Sequence, residues 1–145
     1  MYSYYYDPQN RYYRQNDKLL SDIAKAINAE YSAVQCYQKL AQMAPNSLEK
    51  EQIGEISRDE MQHFRLFNQI YMNLTGMEHK PQISEECPDN YKEGLDFSFK
   101  DEQEAVDFYL DIADQTADPY IKEVFKRAAA DEQNHAVWFL YFINN

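Results

Sequence analysis

Apolar residues recur every three or four positions in four separate stretches of the chain. This spacing places the apolar side chains on one face of an α-helix. The four stretches cover approximately residues 17–43, 47–75, 98–116 and 119–143. The pattern therefore predicts an all-α protein built from four amphipathic helices.

The connections between these helices predict how they are arranged. Asn46, with a glutamate three residues later, is typical of a capping box that begins the second helix. Gly76 stands where a glycine commonly ends a helix, and Asp118 and Pro119 supply an N-cap and a first-turn proline for the fourth helix. The two short connections predict antiparallel hairpins, and the long segment 76–97 is interpreted as a crossover along the bundle.

The two predicted hairpins repeat each other at an offset of 72 residues, without a gap. Tyr37 corresponds to Tyr109, and Phe67 corresponds to Phe139. Self-similarity at a fixed offset indicates two copies of one supersecondary unit. We therefore expect a four-helix bundle with an approximate two-fold axis, made of two repeated helical hairpins that the long crossover joins.

Six ionisable residues occupy positions where this pattern requires apolar ones. One glutamate lies on each of the first and third helices, and a Glu-x-x-His pair lies on each of the second and fourth. The six are Glu30, Glu60, His63, Glu102, Glu132 and His135. Each glutamate is 15 residues from the turn of its hairpin, so all four should lie level, roughly 22 Å from the turns at about 1.5 Å per residue.

Four buried carboxylates would repel one another and lose their hydration, which costs several kcal/mol for each ion. Protonation or bound cations must offset this cost. Two divalent cations would balance four carboxylates, and the oxygen and imidazole nitrogen donors suit iron or manganese, with zinc also compatible. The six residues are therefore the predicted metal ligands and catalytic residues, and a metal-free descendant of such a site is the alternative interpretation.

Four further side chains are candidates for supporting roles around these ligands. Asp59 and Asp131 precede the two histidines by four residues and can accept a hydrogen bond from a ligand imidazole, which would fix its tautomer. The alternative is an exposed acidic helix face. Tyr37 and Tyr109 lie two turns after the glutamates of the first and third helices, where core packing is favoured over a hydrogen bond or an electron-donor role. Glu104 lies off the apolar face and is expected to be solvated.

Charge and composition narrow the classes of function. The 145 residues include 25 acidic and 14 basic side chains, which gives a net charge of −11. Binding of nucleic acid or of anionic lipid requires a basic face, so neither is expected, and no apolar run is long enough for a membrane span. Cys36 and Cys87 show no metal-binding spacing, and a disulfide is not expected. This cysteine usage predicts a reducing, cytoplasmic location.

Both terminal segments differ from the rest of the pattern. Residues 1–16 contain six of the 13 tyrosines and are expected to form a flexible tail that precedes a bundle over 17–145. The run 137–143 is apolar on nearly every side, so part of it is predicted to form a homodimer interface. A second class of function follows from these segments, namely a structural or coat protein whose tail tyrosines are cross-linked oxidatively.

Over residues 17–143 the chain resembles the ferritin-like superfamily, and within it the rubrerythrin-like and bacterioferritin-like dimetal proteins. The four glutamates and two histidines named above carry this resemblance. It implies a ferritin-like four-helix bundle and two iron ions as cofactors, with manganese or zinc as alternatives. It also implies an oxidoreductase that acts on peroxide or O2 with oxidation of bound ferrous iron, as a rubrerythrin-like peroxidase or ferroxidase linked to oxidative stress. A dimanganese catalase-like activity is the alternative.

The sequence differs from these relatives in several features, which refine the expected function. Rubrerythrins usually carry a further glutamate one turn after the third-helix ligand, where this chain has Ala105. The sequence lacks the paired CxxC motifs of a rubredoxin domain, so a separate electron donor is expected. It ends shortly after Phe142, without the fifth helix of cage-forming ferritins, so a storage shell is not expected. The tyrosine-rich segment resembles small ferritin-like proteins of spore-forming bacteria, which makes a spore-associated location the alternative to the cytoplasm.

Overall fold

Four helices account for most of the structure, which is a computed structural model that describes the backbone from Pro8 to Asn145 and the side chains from Asn16 onward. The helices are α1 (Pro8–Met43), α2 (Ser47–Thr75), α3 (Tyr91–Gln115) and α4 (Pro119–Ile143). α1 packs mainly against α2, and α3 packs mainly against α4, with further contacts between α1 and α3 and between α2 and α4. The predicted all-α bundle of two helical hairpins is confirmed.

Local sequence determines where α2 and α4 begin and where α2 ends. The Asn46 side chain accepts the backbone N–H of Glu49 at 2.9 Å and caps α2. Gly76 ends α2 with a φ of 72°, in the left-handed region that glycine adopts without strain. The Asp118 side chain accepts backbone N–H groups from the first turn of α4. These three helix boundaries follow the sequence prediction.

α1 begins earlier than the apolar pattern predicts. Its first residue is Pro8 rather than a residue near position 17, so residues 8–16, expected in a flexible tail, are helical. Proline is favoured in a first turn because that position needs no backbone N–H for the helix. The rest of the predicted tail, residues 1–7, lies outside the described part of the chain.

α3 also begins earlier than predicted, at Tyr91. The crossover, which was predicted to reach residue 97, therefore ends at Asn90, whose side chain accepts a backbone N–H of the first turn. The pattern missed residues 91–97 because they include Gly94, a residue type that disfavours helices. Here Gly94 allows close packing on α1, since a Cβ atom at this position would lie 2.3 Å from Cδ2 of Leu40.

A disulfide between Cys36 of α1 and Cys87 of the crossover corrects the expectation that no bridge forms. The two Cα atoms are 5.2 Å apart, a distance that a disulfide spans. The 51 residues between the cysteines concealed this contact, because it exists only once the crossover has folded back along α1. The bridge also removes the ground on which a reducing location was predicted, and the cytoplasmic location stays a prediction.

Among the side chains that the structure describes, the core consists of two apolar clusters at opposite ends of the bundle. One cluster joins the first half of α1 to the second half of α2, and its buried side chains include Ile23, Ile27, Phe67, Ile112 and Phe125. The other joins the second half of α1 to the first half of α2, and its buried side chains include Tyr37, Leu40, Ile53, Ile56 and Phe139. The middle of the bundle, between these clusters, is the level of the six ionisable residues.

The last turns of α4 expose apolar side chains to solvent. Val137, Leu140, Tyr141 and Ile143 are 60%, 43%, 52% and 40% exposed, respectively, while Phe142 on the opposite side is 3% exposed. This surface is available for the predicted homodimer, and the oligomeric state stays a prediction. No helix in the described part of the chain combines the length and apolar character needed to cross a membrane.

Candidate metal centre

The structure brings all six predicted ligands together in the middle of the bundle, although they come from four helices. α1 and α3 each supply one glutamate, and α2 and α4 each supply a glutamate and a histidine. The side chains are Glu30, Glu60, His63, Glu102, Glu132 and His135, and none is more than 4% exposed. Their role as metal ligands stays a prediction. The geometry around them determines whether they are suited to bind metal ions.

The six residues form two overlapping groups of four. In each group, one donor atom from every residue lies within 4.8 Å of the others. One group is Glu30, Glu60, His63 and Glu132, and the other is Glu60, Glu102, Glu132 and His135. Since Glu60 and Glu132 belong to both groups, they would contribute donors to both ions of a metal pair, and a glutamate and a histidine would complete each group. This arrangement is a candidate dimetal site.

The donor atoms that face the centre lack hydrogen-bond partners. They are Oε2 of Glu30, both carboxylate oxygens of Glu60, Oε2 of Glu102, Oε1 of Glu132 and Nδ1 of both histidines. His135 Nδ1 lies 2.7 Å from Glu60 Oε1, yet neither atom makes a hydrogen bond of acceptable geometry. Burial of polar atoms without partners is costly. Cations that accept electron pairs from all of these atoms would remove that cost, so the residues present fit a pair of metal ions.

Two aspartates orient the histidines, each from the opposite hairpin. Nε2 of His63 lies 2.9 Å from Asp131, and Nε2 of His135 lies 2.9 Å from Asp59. An imidazole that donates from Nε2 to a carboxylate keeps its Nδ1 lone pair directed at the centre. The aspartates therefore lie where they can accept the predicted hydrogen bonds. Each aspartate pairs with the histidine of the other hairpin, which the sequence spacing did not specify.

Two buried tyrosines hold the glutamates of α1 and α3. Tyr37 donates its hydroxyl hydrogen to Oε1 of Glu102, and Tyr109 donates to Oε1 of Glu30. Burial and the neighbouring carboxylates raise the pKa of both phenols well above the ordinary value, so both remain protonated donors. Both rings also pack in the aromatic core. Core packing and hydrogen bonding, which the sequence presented as alternatives, therefore occur together.

Protons balance the charge of the centre when cations are absent. Burial, followed by repulsion from neighbouring carboxylates, raises the pKa of Glu30 and Glu132 well above the ordinary value. Burial alone would lower the pKa of His135, but the close carboxylates outweigh it and raise this pKa to about 11. The same balance raises the pKa of His63. Metal binding therefore has to displace protons from the centre.

A cavity of about 190 Å³ leads from this centre to the protein surface. Its inner wall includes the carboxylates of Glu30, Glu60, Glu102 and Glu132, and its outer wall includes Glu85, Asp101 and Glu104. Ala105, at the position where rubrerythrins usually carry a further glutamate, also lines the cavity. Glu85 and Asp101 were not among the predicted site residues, because no periodicity relates a crossover residue to a helix face. Glu104 is exposed, as expected.

Comparison with known proteins agrees with this geometry. Residues 93–145, which include the glutamate of α3 and the Glu-x-x-His pair of α4, match the Rubrerythrin family model. The chain is also 53% identical over 142 residues to the uncharacterized protein YhjR of Bacillus subtilis (strain 168), and the match covers 98% of this chain and 97% of that protein. The chain belongs to the family of YhjR.

Solved structures of other ferritin-like proteins share the fold. A Desulfovibrio desulfuricans bacterioferritin, described with its diiron site in different catalytic states, superposes with a TM-score of 0.80 at 17% identity, over 90% of this chain and 81% of that one. A ferritin-like diiron-carboxylate protein from Bacillus anthracis str. Ames gives a TM-score of 0.74 at 20% identity, over 89% and 97% of the two chains. At these identities the similarity shows the ferritin-like fold alone, and the fold is the predicted one.

Replacement of Asp59 with alanine is expected to weaken metal binding in the half of the centre that contains His135. Loss of the partner of a ligand histidine costs about 10–100-fold in metal affinity, because the imidazole can then rotate or change tautomer. Asp59 is preferable to Asp131 for this test, since Asp131 also pairs with Arg127. Titration with Mn²⁺, followed calorimetrically, measures the change.

The matched control for this prediction is Glu55→Ala, which removes an exposed carboxylate from the same helix. It should bind Mn²⁺ like the unaltered protein. Equal affinities in Asp59→Ala and Glu55→Ala would contradict an orienting role for Asp59.

Proposed function

We propose that this protein is a di-iron oxidoreductase that oxidises its bound ferrous ions with peroxide or O2. The observation that supports the proposal is the pair of overlapping donor groups that share Glu60 and Glu132. Carboxylate oxygen and imidazole nitrogen suit iron among the transition metals. When bound, two ferrous ions supply the two electrons that reduce one peroxide molecule to two water molecules, with uptake of two protons.

The surrounding side chains fix the donor atoms before any metal arrives. Tyr37 and Tyr109 each engage one oxygen of a glutamate, which leaves the second oxygen directed at the centre. Asp59 and Asp131 hold the imidazoles by Nε2. A site whose donors are held by neighbouring groups needs little reorganisation when the charge of a bound ion changes. This preorganisation supports a redox role for the centre.

The cavity determines which oxidants can approach. Its volume of about 190 Å³ is below the roughly 300–1,000 Å³ of pockets that bind drug-sized molecules. The lining combines the carboxylates with Phe108 and short alanine side chains. Peroxide and O2 are small enough to enter, and an organic substrate of ordinary size is not. The cavity therefore favours small oxidants as the substrates of this site.

Anaerobic loading with ferrous iron, followed by measured additions of hydrogen peroxide or O2, tests the proposed activity. We expect one peroxide molecule to oxidise both ferrous ions of a chain, which Mössbauer spectroscopy and absorbance report directly. Ions that stay ferrous in the presence of both oxidants would contradict the proposal. Elemental analysis of natively purified protein tests the dimanganese alternative, for which manganese and peroxide-dependent O2 release are expected instead.

We also propose a separate electron donor that reduces the oxidised centre again, and a homodimer formed through α4. The exposed side chains of Val137, Leu140 and Tyr141 support the second proposal, since an apolar surface of this kind is usually covered by a partner. The coat-protein alternative depends on tyrosines that precede the described side chains, and it stays a prediction.

A further inference from the structure

The crossover is attached to α1 at successive turns of that helix, and one of the attachments is covalent. Backbone N–H groups of two crossover residues donate hydrogen bonds to side chains of α1, at 3.0 Å and 2.9 Å. The disulfide follows, and then a lysine–aspartate ion pair. Segment 76–90 contains neither helix nor strand, so contacts of this kind fix its path. In the order of α1, the pairs are Asn28 with Gln82, Ser32 with Ser84, Cys36 with Cys87, and Lys39 with Asp89.

The crossover passes α1 at the level of the buried centre. On α1, Glu30 lies between the attachment points Asn28 and Ser32. Glu85 of the crossover lines the same cavity as Glu30. Its backbone is held on both sides, by the hydrogen bond of the preceding residue and by the disulfide two residues later. Movement of this segment therefore changes the wall of the cavity that leads to the centre.

One half of the disulfide is accessible from solvent. Cys36 is buried, whereas Cys87 is partly exposed. Disulfide exchange begins with attack of a thiolate on one sulfur, so Cys87 is the half that an external thiol can approach. The contact that reduction leaves here is a weak thiol hydrogen bond, since Sγ of Cys87 lies 3.7 Å from the carbonyl oxygen of Cys36. The chain has no further cysteine, so within one chain the two opened thiols can rejoin only each other.

We propose that the Cys36–Cys87 bridge is a redox switch, which a thiol reductant opens and peroxide closes, and that its state controls access to the buried centre. On opening, the bridge takes up two electrons and two protons while two thiols of the reductant join as a disulfide. On closing, one hydrogen peroxide oxidises the two cysteine thiols and is reduced to two water molecules. Metal exchange is then faster under reducing conditions, and bound metal is retained when peroxide is present. The control of metal exchange rests on the proposed function, whereas the opening of the bridge does not.

Hydrogen exchange of the metal-free chain, followed by mass spectrometry, tests the switch. With an excess of reduced glutathione, alkylation should detect both cysteines as free thiols in a chain whose circular dichroism is unchanged. Amide hydrogens of segment 82–87 should then exchange about tenfold faster or more, because a disulfide usually changes a folding equilibrium by more than one order of magnitude. A stoichiometric amount of hydrogen peroxide should restore slow exchange. A bridge that stays closed, a chain that unfolds when the bridge opens, or thiols that peroxide does not rejoin would each overturn the switch.

Two variants separate the bridge from other effects of the reductant. Cys36→Ser/Cys87→Ser should show fast exchange of segment 82–87 with and without glutathione. Lys39→Gln removes the neighbouring ion pair and keeps the bridge, so it should respond to glutathione as the unaltered protein does. If the double serine variant exchanged as slowly as the oxidised, unaltered chain, the bridge would not be what holds the crossover, and the proposal would fail.

Release of Mn²⁺ from the loaded protein to a chelator measures access to the centre. Release should be faster from Cys36→Ser/Cys87→Ser than from the oxidised, unaltered protein, by a factor similar to the change in hydrogen exchange. The serine variant needs no reductant, so binding of Mn²⁺ by glutathione does not affect this comparison. Equal release rates would overturn the control of access. If the unaltered chain bound no Mn²⁺ tightly, the dimetal centre and the control of access to it would be refuted, and hydrogen exchange would still decide whether the bridge opens and closes.

Discussion

Replacement of Glu60 with glutamine is expected to abolish tight binding of both metal ions. Glu60 belongs to both donor groups, so one substitution removes a negative charge and an oxygen donor from each ion. The loss of affinity should exceed the roughly 10–100-fold that removal of a ligand's hydrogen-bond partner costs. Calorimetric titration with Mn²⁺ measures the affinity, and elemental analysis after gel filtration counts the ions that remain bound.

Glu30→Gln provides the sharper comparison, because Glu30 belongs to one group only. This variant should lose one tightly bound ion and keep the other, whereas Glu60→Gln should lose both. Glu55→Gln, an exposed change on the same helix as Glu60, should keep both ions. Retention of two ions by Glu60→Gln, or equal losses in Glu30→Gln and Glu60→Gln, would contradict the shared position of Glu60. Circular dichroism confirms that each variant is folded.

The parts of this site that could be predicted from sequence depend on local periodicity. Glu30 and Glu102 interrupt apolar faces at equivalent positions of the repeat, and so do the two Glu-x-x-His pairs. Helical geometry fixes the direction and height of such side chains within a helix. The repeat then places the two hairpins in register, so the meeting of the six residues required no knowledge of the exact packing angles.

The contacts that sequence could not specify join residues that are distant along the chain. His63 pairs with Asp131 of the other hairpin, a choice that depends on how closely α2 and α4 approach. The disulfide and the position of Glu85 depend on the path of the crossover, which has no regular period. The early start of α3 was hidden because Gly94 has a low helix propensity, although close packing against α1 favours it here.

The metal-free protein is expected to lose stability as the pH rises above neutrality. In the folded, metal-free chain the close carboxylates of Glu102 and Glu60 raise the pKa of His135 to about 11 against the opposing effect of burial, compared with 6.5 for a free histidine. The folded state therefore holds one more proton than the unfolded state between these pH values. The stabilisation is fully present below about pH 6.5 and is lost as the pH rises through the folded pKa.

Glu30 and Glu132 change the pH dependence of the free energy of unfolding in the same direction as His135. Burial and the neighbouring carboxylates raise their folded pKa values, so their contribution is present below the unfolded pKa and is lost as the pH passes through the folded one. Each extra proton held by the folded state changes the free energy of unfolding by about 1.4 kcal/mol per pH unit. Bound metal displaces these protons. The stability of the metal-loaded protein should therefore not show the same decline with rising pH.

Scanning calorimetry between pH 6.5 and about 9, with and without Mn²⁺, tests this prediction of pH dependence. The gap in melting temperature between the loaded and the metal-free protein should widen with pH. In His135→Gln, the free energy of unfolding of the metal-free protein should fall less steeply with pH, by the equivalent of about one proton. Asp107→Asn, an exposed change on α3, should leave that slope unaltered. A metal-free protein whose melting temperature stays constant across this range would contradict the prediction, because raised pKa values of either the histidines or the buried glutamates give a decline in stability. The folded, metal-free centre would then hold no more protons than the unfolded chain, and its carboxylates would have to be balanced in another way.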